Sequence, residues 1–287
     1  MCGRLDVGDR LALIRTGRLP SALVANAIRA AVANPAFDGP ETSPSEDGVV
    51  FGTRTVVKVQ QCLHERLETL RNFEELRTAT GVRGPRLLDS GTEEGAWWVV
   101  LERLPGVHGD RPTPGRQREL GHQLRRWHSR PPRGGLRLDA PGALGVLLGS
   151  ARATIPDTYG TFAELVGAVC AGSPMTAIHG DAAVGHNVLF DGDVLTGLLD
   201  PGATESGPPM LDLAWALAVD MPRGAGQEPL IEGYGADGVD RRALAALLPL
   251  MMLRRLIDAS TLGLDADAAW IAAWLDARRP DLLVLAG

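Results

Sequence analysis

The sequence predicts an α+β chain of two lobes, a small one built on a β-sheet and a larger one that is mostly helical. Three observations predict it. The order strand, strand, helix, strand, strand fills the first third of the chain and stops at Leu104-Pro105-Gly106. Helical periodicity begins at Thr113 and dominates after Pro209. Between them lies one short hairpin, Asn187 to Leu199, with polar residues gathered at its ends. The lobes are accordingly drawn as residues 1–104 and 105–287.

Each element has its local reason. Leu23, Val24, Ala27, Ile28, Ala31 and Val32 recur at helical spacing, with Ser21 placed to cap and Asn34-Pro35 to stop. Phe37 to Asp47 is rich in Pro, Ser, Glu and Asp and reads as a loop. Gly48 to Phe51 and Thr55 to Gln60 are short strands joined at Gly52-Thr53. Leu63, Leu67, Leu70, Phe73 and Leu76 mark one side of a helix from Leu63 to Thr80. Arg86 to Asp89 and Trp97 to Leu101 form another strand pair. Thr113 caps a helix that has Pro114 at its first position and Leu120, Leu124 and Trp127 along its face. Gly134 to Gly160 shows no usable period. Met175 to Ile178 is a strand, and the hairpin that follows turns at Asp191-Gly192. Ala243 to Leu264 is the most apolar stretch, but Pro249, Arg254, Arg255 and Asp258 make it a buried helix pair rather than a membrane span.

Bulk properties narrow the field without choosing within it. A chain of 287 residues can bury a sizeable core. A net charge of -6 argues against general nucleic-acid binding. Cys2, Cys62 and Cys170 are odd in number and scattered, which reads as reduced thiols in a cytoplasmic protein. No basic stretch followed by an unbroken apolar run opens the chain, so no signal peptide is expected.

The chemistry lies between His179 and Gly202. Asp181 follows His179-Gly180 at the end of an apolar strand, Asn187 comes six residues later, and Asp200 closes the hairpin. A hairpin brings its two ends together, so an amide and a carboxylate can face one metal site beside a second carboxylate. Phosphoryl transfer from a nucleotide needs that set: an acceptor for the attacking hydroxyl's proton, and hard oxygen ligands for magnesium. The tripeptide alone says little, because His108-Gly109-Asp110 repeats it without an Asn or a second carboxylate; Asp110 reads as linker. Lys58, in the strand Thr55 to Val59, alone reads as a solvated edge residue. With a magnesium site downstream it becomes a partner for α/β-phosphates, which needs a helix glutamate to hold it. Glu65, Glu68, Glu74 and Glu75 are available, with Glu68 favoured; a solvated acidic face explains them equally well.

These residues resemble those of the aminoglycoside phosphotransferase family, whose fold is like that of protein kinases. Lys58, Gly84-Pro85-Arg86-Leu87-Leu88, Leu101 to Gly106, Trp127-His128, the His179-Gly180-Asp181…Asn187…Asp200 core and Pro208 to Ala214 carry the resemblance. It implies a protein-kinase-like two-lobed α+β fold, with a small mixed β-sheet and one main helix in the N-lobe. It implies Asp181 as catalytic base, Asn187 and Asp200 as magnesium ligands, Lys58 on the phosphates, and backbone contacts from Glu102 and Leu104 to a purine. Asp212 would brace the catalytic loop. The family spaces its Asn five residues after the Asp; here His186 holds that place, and a one-residue insertion within Ala182 to Gly185 accounts for it. The expected activity is transfer of a γ-phosphate from ATP or GTP to a hydroxyl of a small-molecule antibiotic, by a monomer or homodimer without nucleic-acid or membrane partners. An aminoglycoside, a nucleoside or a peptide antibiotic would serve as acceptor, giving resistance or self-protection. A kinase of a primary metabolite such as choline or homoserine, and a non-catalytic nucleotide-binding protein, are the alternatives. Acids beyond Pro222 (Glu228, Glu232, Asp237, Asp240, Asp258, Asp265, Asp267) either meet an amine-rich substrate or are simply helix-surface charges.

Overall fold

A computed structural model describes residues 21–39, 48–61, 73–93, 96–109, 111–130, 164, 167–169, 171–200 and 205–285. Glu65, Glu68, Asp110, the Gly134 to Gly160 segment, Pro201-Gly202 and all three cysteines lie outside them. The chain divides into two compact units. One comprises the described residues up to Glu75 together with Gly84–Pro105; the other comprises Leu76–Arg83 and the described residues from Gly106 onward.

In the first unit, α1 (Ser21–Val32) packs on a four-stranded sheet of β1 (Val49–Phe51), β2 (Thr55–Gln61), β3 (Leu87–Glu93) and β4 (Ala96–Glu102). The strand order is β1-β2-β4-β3, and every pairing is antiparallel. Alternation along β2 and β4 sorts the side chains. Val57, Val59, Trp98 and Val100 join Ala27 and Ala31 of α1 in one cluster. The intervening residues face the other way, where Trp97 and Val99 make a second cluster. Lys58 stands directly opposite Val99 in the register, so it belongs to that second face, away from α1. Residues 73–80 are helical and include Glu74 and Glu75.

The second unit begins with β5 (Val107–His108), which pairs with the hairpin of β7 (Val188–Asp191) and β8 (Val194–Leu198); β6 (Thr176–Ile178) pairs separately with β9 (Glu205–Gly207). The hairpin loop is Gly192-Asp193, one residue beyond the expected turn, with Gly192 at φ +60°. The helix α2 (Pro114–Trp127) starts as the sequence predicts: the Thr113 hydroxyl accepts from the Arg116 backbone N–H at 3.1 Å, and Pro114 follows. It crosses α4 (Glu228–Tyr234) through two glycines. A Cβ on Gly233 would stand 2.0 Å from the Arg118 carbonyl oxygen, and one on Gly121 2.4 Å from that of Leu230.

At the centre lies α3 (Met210–Asp220), buried at every position. It packs against α5 (Arg241–Thr261), which packs against α6 (Asp265–Leu285). The apolar stretch around Pro249 is thus one helix, not the expected pair. Proline forfeits one backbone hydrogen bond there, typically about 3 kcal/mol. Burial of Ala246, Leu247, Leu250, Met251 and Met252 on the surrounding turns opposes that cost. No described helix is long and apolar enough to cross a membrane.

Candidate active site

Strand β6 is buried along its length and delivers the chain into His179-Gly180-Asp181. The backbone there is fixed by a carboxylate from below. Asp212, in the first turn of α3, accepts the N–H of His179 at 2.8 Å and that of Gly180 at 2.7 Å. His128 Nε2 lies 2.9 Å from the same carboxylate, and its Nδ1 lies 2.9 Å from the Tyr234 hydroxyl. Burial pushes the Asp212 carboxyl upward, but the hydrogen bond and charge of His128, the charge of His179 and the backbone donors outweigh it and hold the group below its ordinary value. Asp212 therefore stays ionised, a buried charge kept by its partners. Gly180 takes φ +80°, a conformation that favours glycine.

After Asp181 the chain makes a pinched turn. Ala183 and His186 exchange two backbone hydrogen bonds, both 2.9 Å, across the loop Val184-Gly185. This turn takes up the extra residue between Asp181 and Asn187. Its outward N–H groups are not left bare: the carboxylate of Asp220 accepts from Val184 at 3.1 Å and from Gly185 at 3.2 Å. Asp212 and Asp220 sit at opposite ends of α3, eight residues or about 12 Å of helix apart. One buried helix clips the loop at both ends with its only two charged side chains. Burial raises Asp220 to about 6, against the pull of those N–H groups and of Arg223 and Arg255.

Asn187 then returns to Asp181. Its Nδ2 donates to the Asp181 carboxylate at 2.9 Å and to the Asp181 carbonyl at 3.3 Å. Spending the amide nitrogen this way turns the amide oxygen away from Asp181. The Asn187 carbonyl accepts from Leu199 N–H at 2.8 Å, which brings Asp200 alongside. Asn187 and Asp200, at φ 58° and 50°, are the two non-glycine residues in the left-handed region among those described. Such backbone persists where surrounding contacts hold it, and it gathers at functional sites. The carboxylates of Asp181, Asp200 and Asp212 all act on one buried imidazole, His179, whose pKa burial nevertheless depresses. The fold thus brings Asp181, Asn187 and Asp200 together.

The donor set suits magnesium. A cation held chiefly by nucleotide phosphates and water needs only one or two protein oxygens, here an amide and a carboxylate. No cluster of three His, Cys, Asp or Glu residues forms a metal cage among the described residues. In the first unit, Lys58 occupies the sheet face of Trp97 and Val99. Glu68 falls outside the described residues. Glu102 ends β4; its N–H donates to the Arg86 carbonyl at 2.9 Å, its carboxylate accepts from Arg86 Nε at 3.0 Å, and Leu104 follows in the connection.

A cavity of about 320 Å³ opens beside Asp181, lined by His186, Trp215, Arg223, Arg254 and Arg255. His186 Nε2 lies 3.2 Å from Asp181 Oδ2. Arg254 donates to the Gly180 carbonyl at 3.0 Å, comes within 3.7 Å of Asp181, and lies over the Trp215 ring 3.9 Å from its centroid. Of the acids considered for an amine-rich substrate, Asp258 alone reaches this cavity, and it sits 4.0 Å from Arg254. The others are mostly committed elsewhere: Glu228 to Arg241, Glu232 to Arg118, Asp237 to Arg125, Asp267 to Arg255 and Arg223, and Asp240 to capping α5.

Sequence reasoning missed Asp220, His186 and Arg254. Asp220 had a signal, since a helix apolar at every other position keeps a carboxylate only if something pairs with it. His186 and Arg254 had none, because their place beside Asp181 depends on a turn and on a helix about 70 residues away in the chain.

The family model described as the phosphotransferase enzyme family matches residues 46–250. No curated protein matches the chain. Among solved structures, an aminoglycoside phosphotransferase from Streptomyces rimosus in complex with ADP and streptomycin is 18% identical, with a TM-score of 0.59 over 80% of this chain and 96% of that one. A choline/ethanolamine kinase family protein from Mesorhizobium loti is 18% identical, with a TM-score of 0.61 over 91% and 94%. A macrolide 2'-phosphotransferase from Brachybacterium faecium is 17% identical, with a TM-score of 0.53 over 89% and 98%. With its α+β, protein-kinase-like architecture and a family match over well over half its length, the chain belongs to the phosphotransferase enzyme family and is a small-molecule phosphotransferase.

Proposed function

We propose that the protein transfers the γ-phosphoryl group of ATP or GTP to a hydroxyl of a small-molecule antibiotic, conferring resistance or self-protection. The observation that carries this reading is the contact of Asn187 Nδ2 with the Asp181 carboxylate at 2.9 Å, with Asn187 tied through Leu199 to the neighbourhood of Asp200. Asp181 orients the acceptor hydroxyl and takes its proton as the oxygen–phosphorus bond forms and the bond to the nucleoside diphosphate breaks. The transition state is loose, so placement of the hydroxyl matters more than base strength. Asn187 and Asp200 would hold magnesium, which supplies charge neutralisation on the phosphates when bound. Lys58 is assigned to the α/β-phosphates, Glu68 to Lys58, and the backbone of Glu102 and Leu104 to the purine. The Glu102 N–H is spent on the Arg86 carbonyl, so its own carbonyl and the Leu104 N–H are assigned to the base.

The streptomycin complex and the macrolide enzyme among the structural neighbours support an antibiotic acceptor by analogy of fold alone. The test is a panel of aminoglycoside, nucleoside and peptide antibiotics incubated with ATP or GTP and magnesium, read by mass for one added phosphoryl group. Asp181→Ala is expected to abolish transfer while nucleotide affinity is retained. Transfer that survives this change refutes the assignment of the base.

A further inference from the structure

We infer that the acceptor presents an anionic group, a carboxylate or a phosphate, to Arg254 while its hydroxyl faces Asp181. This rests on the phosphotransferase reading of the same site and narrows it. The cavity beside Asp181 is walled by three guanidinium groups, those of Arg223, Arg254 and Arg255, against the carboxylates of Asp181 and Asp258. One of those carboxylates is assigned to the reacting hydroxyl, and the other shares Arg254. Asp267 already pairs with Arg255 at 2.8 Å and with Arg223 at 3.5 Å, whereas the carboxylates nearest Arg254 stand farther off, Asp181 at 3.7 Å and Asp258 at 4.0 Å. Arg254 is thus the wall cation with donors to spare, and a polyamine would find each of these carboxylates already facing an arginine.

Arg254 is already oriented, held by the Gly180 carbonyl and stacked on Trp215, so its remaining N–H groups are pre-set for a planar acceptor such as carboxylate. The volume is at the low end for a small-molecule site. Polyamine aminoglycosides are thereby disfavoured, and acidic hydroxylated molecules are selected.

The test uses three probes on one carbon skeleton: gluconate, neutral sorbitol and cationic glucamine. Each is titrated into the full-length protein saturated with magnesium and the non-hydrolysable nucleotide AMP-PNP, and binding is read by ligand-observed NMR. Gluconate is expected to bind on the order of tenfold tighter than sorbitol, the worth of one charge-assisted hydrogen bond, and tighter still than glucamine. Arg254→Gln removes that preference and Arg254→Lys keeps part of it; if the glutamine variant does not fold, the probe comparison and the lysine variant decide. Glucamine binding as tightly as gluconate, gluconate failing to bind, or a preference unchanged in Arg254→Gln each overturns the inference. Phosphorylation of a cationic acceptor with gluconate unbound sinks this inference and leaves the phosphotransferase reading intact. Arg254-dependent gluconate binding without Asp181-dependent nucleotide turnover does the reverse.

Discussion

Replacing Asp220 by Asn separates what holds the catalytic loop from what stabilises the fold. The carboxylate is buried at the end of α3 and titrates near 6, against 3.8 for the unburied group. As pH rises, the unfolded chain loses this proton first, so between those values the native state holds more protons and stability falls. The full cost of ionising the buried group is about 3 kcal/mol. An amide is neutral at every pH and nearly the same shape. The variant and the native protein should match near pH 4, and the variant should be more stable by up to about 3 kcal/mol above pH 7. That corresponds to roughly 6 °C in the unfolding midpoint. Activity should move the other way. The carboxylate serves two N–H groups, on Val184 and Gly185, whereas an amide offers a single oxygen and sets its NH₂ against the second donor. Losing one such bond, about 1–2 kcal/mol, loosens the turn that spaces Asp181 from Asn187 and should slow transfer roughly tenfold. Urea unfolding of both proteins from pH 4 to pH 7.5, with transfer rates at pH 7.5, provides the assay. A stability difference that does not change with pH, or a variant with the native transfer rate, refutes the reasoning.

Other expectations follow from the same geometry. Asp212→Ala strips the acceptor from His179 N–H, Gly180 N–H and His128 together, and should destabilise the protein by about 3–5 kcal/mol, seen as a lost or greatly lowered unfolding transition. Gly233→Ala sets a methyl 2.0 Å from the Arg118 carbonyl oxygen, so α2 and α4 must separate; a midpoint unchanged within error contradicts the close crossing. Asn187→Ala frees Asp181 and removes the amide oxygen proposed for magnesium, and should cut transfer by about 10²-fold or more, with a raised magnesium requirement. Chelation of magnesium should stop transfer and its re-addition restore it; transfer in its absence contradicts the roles given to Asn187 and Asp200.

Local structure was legible where short-range chemistry decides it. Thr113 and Pro114 specify the start of α2 through one side-chain oxygen and one fixed φ, and the contact is there at 3.1 Å. Alternating Val57, Lys58 and Val59 put the lysine on one sheet face and the valines on the other, as pleat geometry requires. The pairing of Asn187 with Asp200 was legible too, because a hairpin joins its own ends; the return of Asn187 to Asp181 depends on the Ala183–His186 turn. Pro249 misled for the complementary reason: a local rule predicts a break, and burial on the neighbouring turns of α5 overrides it.

The sequence by itself determined the order of elements, the hairpin that sets Asn187 beside Asp200, and the motifs that mark the family. Tertiary structure alone decided what surrounds them. Arg254 reaches Gly180 and Asp181 from 74 and 73 positions along the chain, and Asp220 grips a turn 35 residues before it. Nothing local constrains such separations, since closing a loop of that length costs entropy that depends only weakly on sequence. The packing of α3 against α5 fixes them instead.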